Sequence, residues 1–196
     1  MNRLGDGVHA LTGSQQTNEA LQRLADFGTW LRSEAIEAGG LGPNESTDIE
    51  GRHLLDSVAF AAAWVSPPAV CWDLGSGVGL PGIPLAIVWP STRMVLIDRS
   101  QKRIDLARRA ARMIGVDIEC EVRDFSRLSG TVEAIVSRAA MPALAFAPIL
   151  RRLLAEDGRA AISGSGGEIP VGFETVTISG GGILDSAPRL LMMLAT

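Results

Sequence analysis

The chain has 196 residues, of which 46% are hydrophobic, and this length and composition predict one globular domain with a substantial core. It contains no uncharged apolar run of about 18 residues, and its first residues lack the apolar stretch of a secretory signal. We therefore expect a cytoplasmic protein that does not enter membranes. The two cysteines fall within apolar runs and the two histidines lie far apart, so neither a disulfide nor a metal site is expected.

The formal net charge of −4 does not favour nucleic-acid binding, but the charges are unevenly distributed along the chain. Residues 1–57 contain four arginines against nine acidic residues, whereas residues 99–159 contain twelve lysines and arginines against eight acidic residues. Since phosphates are attracted by clustered cations, any surface that binds nucleic acid is expected in the second of these segments.

The N-terminal part of the chain, residues 1–66, is predicted to be a helical extension of a second region, residues 67–196, and we expect the two to form one compact unit. Residues 1–13 are rich in glycine and are expected to be frayed. Between Ser14 and Ala38, apolar side chains recur at steps of three and four residues, which predicts a helix. The next run, GGLGPNES, has the composition of a loop.

A second helix is predicted from Asp48 to Trp64. The Asp48 carboxylate can accept a hydrogen bond from a backbone N–H of the first turn and so cap the helix. Arg52, His53 and Asp56 then lie on its early turns. One interpretation is that His53 and Asp56, three residues apart, form a local helix pair.

The clearest motif is a glycine-rich turn that separates an apolar run at 69–72 from another at 80–88. The motif consists of Asp73, Gly75, Gly77 and Gly79. A buried strand, a glycine turn and a helix are typical of nucleotide binding, because glycine adopts positive φ and lets a ligand lie against bare backbone. The spacing matches neither the dinucleotide-binding motif nor the P-loop, so a phosphate ligand is disfavoured.

A second acidic residue, Asp98, closes the apolar run at 94–97. A carboxylate at the end of such a strand can accept hydrogen bonds from both hydroxyls of a ribose. Together with Asp73 and the glycines, it resembles the S-adenosylmethionine site of class I methyltransferases. The resemblance implies an α/β fold with a Rossmann-like sheet of seven strands, and S-adenosylmethionine as cofactor. The alternative is a generic tight turn followed by a surface aspartate.

Beyond Asp98 the chain alternates between helical and strand patterns. Helices are predicted after Asp98, ending at Gly115, and at 141–155. Strands are predicted at 116–122, 132–136, 159–163, 173–179 and 189–194. With the runs at 69–73 and 94–97, these make the seven strands that the fold requires.

Polar residues follow two of these strands and are candidates for the site. Asp124 stands where class I methyltransferases place an acceptor for the adenine amino group, and Arg123 is the alternative at that wall. Arg138 follows the strand at 132–136, beside the position of the transferred methyl in this fold. Its guanidinium can bind the carboxylate of the cofactor or a phosphate of the substrate through two parallel hydrogen bonds. The alternative for Arg138 is a structural salt bridge.

Four segments resemble the glucose-inhibited division protein B family over most of the chain, from about Trp30 to Gly164. They are LPGIP at 80–84, RHLLDS at 52–57, DRSQKR at 98–103 and SRA at 137–139. This family comprises bacterial methyltransferases that act on guanine N7 in small-subunit ribosomal RNA. The resemblance therefore implies this reaction, with small-subunit ribosomal RNA or the ribosomal subunit as partner, and it places Leu80 at the cofactor.

The same resemblance brings the RHLLDS segment to the entrance of the site. The residues that it implies on the substrate side are Arg52, His53, Asp56, Lys102 and Arg103. Two elements that are common in the family are absent: Asn-Leu-Thr in the loop near residue 40, and Lys-Gly where this chain has Ser163-Gly164. The alternatives are a divergent relative that methylates another RNA or a small molecule, and a non-catalytic module that binds S-adenosylmethionine.

No catalytic acid or base is predicted. Guanine N7 has a free lone pair and no proton to lose, so methyl transfer to it depends on holding the nucleophile in line with the methyl group. This agrees with the absence of a Ser-His-Asp or paired-carboxylate pattern in the sequence. Arg138 is the only candidate for a direct role in the reaction.

Overall fold

In the computed structural model, which describes residues 3–163, 168–178 and 189–195, the chain begins with a helix. This helix, α1, spans Arg3–Thr12 and buries Leu4, Val8 and Leu11. These side chains join the main core and anchor the helix in spite of its two glycines. The prediction that residues 1–13 are frayed is therefore wrong for the described part of that segment.

Helix α2 spans Asn18–Trp30 and continues as a π-helical turn at Leu31–Ala35. It begins where the Oγ1 of Thr17 accepts a hydrogen bond from the backbone N–H of Ala20 at 3.1 Å. The helix predicted between residues 14 and 38 is confirmed, with a later start. Phe27 and Trp30 stack in its buried face with ring centroids 6.0 Å apart.

The next helical stretch, residues 43–63, changes geometry along its length, and we call it the mixed helical segment. It is built from 3-10 turns at Pro43–Asp48 and Ala59–Ala63, a π-helical turn at Glu50–Leu55 and the short α3 at Asp56–Val58. As predicted, Asp48 caps it: the Oδ1 atom accepts from the backbone N–H of Gly51 at 3.0 Å. A Cβ at Gly51 would lie 2.4 Å from Oδ2 of Asp48, so a larger residue there would displace the capping carboxylate.

Seven strands form one sheet in the order β3-β2-β1-β4-β5-β7-β6. They are β1 Val70–Leu74, β2 Arg93–Asp98, β3 Glu119–Val122, β4 Val132–Arg138, β5 Leu154–Ser163, β6 Phe173–Ile178 and β7 Arg189–Ala195. The first five are parallel, and β7 runs antiparallel to both of its neighbours. The predicted seven-stranded α/β sheet is confirmed, and β5 starts earlier than expected, with a break in its register against β4 near Asp157, whose φ is 60°.

Helices cover both faces of the sheet. The first face packs against the N-terminal helices, α4 at Gly82–Val88 and α5 at Gln101–Ile114, whereas the second packs against α6 at Ala143–Leu153. On the first face, Trp64 and Trp89 meet edge to face with ring centroids 5.6 Å apart. The main core contains residues from both sides of the predicted boundary at residue 66. The division into residues 1–66 and 67–196 therefore stays a prediction.

The order of the strands determines where a ligand can bind. From β1 the chain moves outward through β2 to β3 and then returns to place β4 on the other side of β1. The loops that follow β1 and β4 therefore diverge and leave a crevice at the carboxyl edge of the sheet, which is where open α/β sheets bind their ligands. In the described ranges, none of the helices has the length and apolar character needed to cross a bilayer.

Candidate functional site

A cavity of about 490 Å³ occupies the crevice at the carboxyl edge of the sheet. Its walls come from the loops after β1 to β4, from the first turn of α5 and from the loop that precedes the mixed helical segment. The lining residues are 40–41, 75–78, Leu80, Asp98, Arg99, Arg103, 124–126 and 138–141. Of the predicted site residues, seven line this cavity: Gly75, Gly77, Leu80, Asp98, Arg103, Asp124 and Arg138.

Asp98 lies at the cavity wall with its carboxylate oriented by two backbone groups. Its Oδ2 accepts from the N–H of Gly77 at 3.0 Å and its Oδ1 from the N–H of Ser100 at 2.8 Å. Each oxygen retains a further lone pair, because a carboxylate can accept about four hydrogen bonds in total. Asp98 is thus fixed in position and still able to accept from a pair of ligand hydroxyls.

Asp73 has a different place, behind the glycine turn and away from the cavity. Its side chain is completely buried, and its Oδ2 accepts from the N–H of Gly82 at 2.8 Å, at the start of α4. Burial raises the pKa of Asp73 to about 7, against the lowering effect of the Gly82 hydrogen bond. This residue therefore holds helix α4 to the turn, and any effect on a ligand is indirect.

The three glycines of the turn all have positive φ, but for different reasons. At Gly75 a Cβ would lie 2.6 Å from the Cβ of Ala140, and at Gly79 it would lie 2.4 Å from Cδ1 of Ile83. At Gly77 a Cβ would meet no atom within 4 Å, because this residue faces the open cavity. Gly75 and Gly79 thus let chain segments pack closely, whereas Gly77 leaves space for a ligand.

Ser76, between two of these glycines, was not predicted as a site residue. Only 1% of its surface is exposed, it lines the cavity, and its hydroxyl has no hydrogen-bond partner in the described part of the chain. A buried hydroxyl without a partner is unfavourable, so it marks a position where a polar ligand atom would be bound. The signal available in the sequence was its place inside the glycine motif.

The two candidates at the end of β3 separate clearly. Asp124 lines the cavity, and its Oδ1 accepts from the backbone N–H and the Oγ of Ser126 at 2.9 and 2.6 Å. These hydrogen bonds lower the pKa of Asp124. The side chain of Arg123 instead lies 3.4 Å from Glu121 on the surface, outside the set of lining residues. Phe125, which sequence reasoning passed over, adds an aromatic wall next to Asp124.

Arg138 connects the cavity to the mixed helical segment. Its Nη1 donates to the carbonyl of Arg52 at 3.2 Å and lies 3.8 Å from Oδ2 of Asp56, and its Nη2 is 3.3 Å from Nδ1 of His53. The structure therefore brings Arg52, His53 and Asp56 to the edge of the site through Arg138. His53 and Asp56 are both buried and both lie close to Arg138, so their surroundings extend beyond a local helix pair.

His53 is neutral in this arrangement. Its pKa is lowered to about 4, first by burial and then by the positive charge of Arg138. On the other side of the ring, Nε2 lies 3.0 Å from Oε2 of Glu45. A residue that relays protons at neutral pH needs a pKa near 7, and the pKa of His53 is too low for this role.

Two cations predicted on the substrate side lie on the first turn of α5. Arg103 lines the cavity, and Lys102 is exposed beside it without lining the cavity. Arg99, which was not predicted, also lines the cavity. Gly40 and Leu41 close another side, and a Cβ at Gly40 would lie 2.5 Å from Cγ1 of Val78, so the loop approaches the glycine turn closely. Periodicity cannot reveal such a contact between distant segments.

A family model described as rRNA small subunit methyltransferase G (GidB) matches residues 19–165. The chain belongs to this family. The predicted resemblance is confirmed, and the matched residues include every segment that lines the cavity.

Among curated GidB relatives, the chain is similar to two ribosomal RNA small subunit methyltransferases G. It is 34% identical to the one from Mycobacterium marinum (strain ATCC BAA-535 / M), over 69% of this chain and 59% of the relative. It is 40% identical to the one from Mycobacterium leprae (strain TN), over 50% of this chain and 38% of the relative. The matched part of the chain thus spans between about two fifths and three fifths of these relatives.

Solved structures show the same fold at low sequence identity. The ribosomal protein L11 methylase from Lactobacillus delbrueckii subsp. bulgaricus has a TM-score of 0.57 at 18% identity, covering 74% of this chain and 79% of that one. TrmN from Thermus thermophilus has a TM-score of 0.56 at 22% identity, covering 71% and 49%. The fold is that of class I S-adenosylmethionine-dependent methyltransferases, as predicted.

S-adenosylmethionine is the cofactor that this family and fold indicate, and the cavity fits it. The fit rests on Asp98, which can accept from a ribose diol, on the space in front of Gly77, and on the buried hydroxyl of Ser76 that lacks a partner in the described part of the chain. Arg138 at the other wall supplies a positive charge for a carboxylate.

Proposed function

We propose that this chain transfers a methyl group from S-adenosylmethionine to guanine N7 in small-subunit ribosomal RNA. The observation that carries the proposal is the match of the GidB family model to residues 19–165, within which the whole cavity lies. Since the substrate is part of the ribosome, we place the reaction in the cytoplasm. The geometry of the cavity supports the residue roles that we propose.

Each end of the cavity suits one part of the cofactor. Asp98 would accept from the ribose hydroxyls, while Asp124 would accept from the adenine amino group and Phe125 would cover the flat face of the base. Ser76 and Arg138 line the remainder of the cavity, where the amino-acid part of the cofactor would lie. Charge-assisted hydrogen bonds of this kind contribute about 1.5–3 kcal/mol each.

The proposed reaction needs positioning and no proton transfer. When bound, S-adenosylmethionine would supply an activated methyl group: the methyl–sulfur bond would break as the guanine N7 lone pair forms the new bond, S-adenosylhomocysteine would leave, and N7 would lose no proton. The protein's task is to hold the guanine in line and to exclude water, which is how effective concentration raises a rate. The neutral, buried His53 is consistent with this, because it is not poised to act as a base at neutral pH.

Phosphates of the RNA would meet the cations at the first turn of α5. No ion pair is recorded for Arg99, Lys102 or Arg103 within the described ranges. By contrast, two arginines further along the same helix are neutralised: Arg108 pairs with Asp105 at 2.8 Å, and Arg109 with Glu34 at 3.3 Å. Cations that form no ion pair attract phosphates more strongly, so the rim of the cavity is the expected contact with RNA.

A second candidate is methylation of another RNA or of a small molecule. It is favoured by the net charge of −4 and by Ser163, which ends β5 where relatives commonly carry lysine. A module that binds the cofactor without turnover is the third candidate, because no residue of the cavity is required as a base.

The deciding experiment is methyl transfer from labelled S-adenosylmethionine to small-subunit RNA and to the assembled subunit, both from cells lacking this modification. Transfer that maps to N7 of a single guanine would support the proposal. Calorimetry with S-adenosylmethionine alone runs in parallel. Cofactor binding without transfer to either substrate would overturn the ribosomal assignment and favour the other candidates.

A further inference from the structure

The contact between Arg138 and His53 joins two parts of the chain that are 85 residues apart. Arg138 ends strand β4 and lines the cavity, whereas His53 lies in the mixed helical segment with only 3% of its surface exposed. The imidazole Nδ1 is 3.3 Å from Nη2 of Arg138. A contact of this kind, made in a partly buried position, restricts the rotamers of a long and otherwise flexible side chain.

The arrangement also determines which nitrogen of His53 carries the proton. A guanidinium can only donate, so Nδ1 must accept and the proton must lie on Nε2. Nε2 lies 3.0 Å from a carboxylate oxygen of Glu45 without forming a hydrogen bond, and the negative charge at that distance favours a proton on Nε2. The other charged groups that face the ring are Arg52 and Asp48, one of each sign.

We propose that His53 is a positioning residue that holds the guanidinium of Arg138 at the cavity wall, with Glu45 selecting the required tautomer. The inference rests on the proposed function in one respect, namely that the cavity binds S-adenosylmethionine. It assigns to the mixed helical segment a role in cofactor affinity, although His53 itself does not line the cavity.

The part of the cofactor that Arg138 would meet follows from the two ends of the cavity. Asp98 and Asp124 are the acidic acceptors of the ribose and adenine side, so they repel a carboxylate. Arg138 instead adjoins Ala140, which packs against Gly75 at the start of the glycine turn. The amino-acid carboxylate of the cofactor therefore belongs next to Arg138, and a displaced guanidinium would weaken its binding.

A double-mutant cycle separates positioning from general packing. Calorimetry of S-adenosylmethionine binding is measured for the wild type, His53→Ala, Arg138→Ala and the double variant. We expect Arg138→Ala to weaken binding by about thirtyfold and His53→Ala by about tenfold. In the Arg138→Ala background, His53→Ala should change the affinity less than about twofold, because its target is gone.

Conservative variants test the role of the single nitrogen. In His53→Asn the amide oxygen can take the place of Nδ1 and accept from Arg138, so the affinity should stay within about threefold of the wild type. In His53→Gln the longer amide lies towards Glu45, and the loss should match that of His53→Ala. Thr47→Ala, an exposed change in the same segment, is the control and should leave the affinity unchanged.

Three results would overturn the inference: an unchanged affinity in Arg138→Ala, additive losses in the double variant, or equal losses in the Asn and Gln variants. Thermal unfolding of every variant identifies any that fails to fold. If His53→Ala does not fold, the affinities of His53→Asn and Arg138→Ala provide the test. The measurement needs no RNA. If the double-mutant cycle gives the expected affinities but no methyl is transferred to RNA, only the proposed reaction is overturned. If methyl is transferred but the cycle does not give the expected affinities, only the positioning role is overturned.

Discussion

Asp73 and Asp98 have the same sequence context and opposite roles. Each closes an apolar strand, and the strands β1 and β2 that carry them are paired neighbours. Asp98 lies in front of the glycine turn with its carboxylate at the cavity, whereas Asp73 lies behind the turn and binds the N–H of Gly82. An acidic residue at a strand end thus indicates a nucleotide site without showing whether it touches the ligand or supports the loop that does.

The same division between front and back applies to the glycines. Gly77 borders open space in the cavity, whereas Gly79 is packed against Ile83 of α4. Substitutions on the back should therefore act on stability, and substitutions on the front should act on binding. The experiments below test this division in order of decreasing effect.

The largest effect is expected for Asp73→Asn, which removes a buried acid and keeps an acceptor for Gly82. The pKa of Asp73 is about 7 in the folded chain, above its unfolded value of 3.8. The folded state therefore binds the proton more tightly, and the stability from this group is lost as the pH rises towards 7. Between pH 5 and 8, urea unfolding should show the wild type losing on the order of 3 kcal/mol more than Asp73→Asn.

His53 has the opposite slope and must not be confused with this effect. Its folded pKa of about 4 lies below the unfolded value of 6.5, so its contribution is lost as the pH falls below 6.5. Both chains contain His53, and the difference between them cancels its contribution. Parallel pH profiles for the wild type and Asp73→Asn would mean that Asp73 is ionised in the folded chain throughout this range.

The next effect compares Gly79→Ala with Gly77→Ala. Gly79→Ala adds a clash with Ile83 to an unfavourable φ of 102°, and should reduce the free energy of unfolding by about 2–3 kcal/mol. Gly77→Ala has only the strain of its φ of 57°, about 1 kcal/mol, but places a methyl group in the cavity. Denaturation and calorimetry should therefore rank the two variants in opposite orders, and the same order in both would contradict the division.

Asp98→Ala should weaken S-adenosylmethionine binding at least about tenfold, equivalent to about 1.4 kcal/mol, through loss of the ribose contacts. Calorimetry measures this directly. Asp105→Ala removes the same charge from an exposed position on α5, outside the cavity lining, and is the matched control. Equal affinities for Asp98→Ala and the wild type would show that the ribose is bound elsewhere.

The smallest effect concerns the rim. Arg103→Ala should lower the affinity for RNA, and the plot of log affinity against log salt should become shallower by about 0.7–0.9, the loss expected for one phosphate contact. Arg112→Ala removes an equal charge from the last turn of the same helix, away from the cavity lining, and should leave the slope as in the wild type. Equal slopes for Arg103→Ala and Arg112→Ala would remove Arg103 from the RNA interface.

The strands and the glycine turn were predictable because their signals are local. Apolar runs, glycines and cap residues lie within a few positions of the elements they define, and the helix that ends at Gly115 shows this well, since Ser100 caps its start and Gly115 has a φ of 66° at its end. Helix α1 was missed because its glycines suggested fraying. Only the long-range burial of Leu4, Val8 and Leu11 reveals why it is stable.

In the site, the sequence singled out Asp98 and Asp124, which both line the cavity, and their contact with the cofactor stays a prediction. It left Arg123 as an alternative and passed over Ser76. Whether Arg123 or Asp124 faces the cavity depends on where β3 ends and on the 3-10 turn that follows it. Tertiary packing sets both, and the local sequence does not show it. The contact between Arg138 and His53 could not be predicted from the sequence, because the local pattern of each segment carries no information about the other.

The positions of the tryptophans decide how such experiments are monitored. All four, at positions 30, 64, 72 and 89, lie outside the set of residues that line the cavity, and the chain has no tyrosine. The stacked Trp30 and the pair formed by Trp64 and Trp89 are emitters embedded in the half of the core that joins the N-terminal helices to the sheet. Trp72 packs instead against the core on the other face of the sheet. Intrinsic fluorescence should therefore follow unfolding of both halves of the core with little signal from the cofactor, which makes it suitable for measuring stability in the presence of the cofactor.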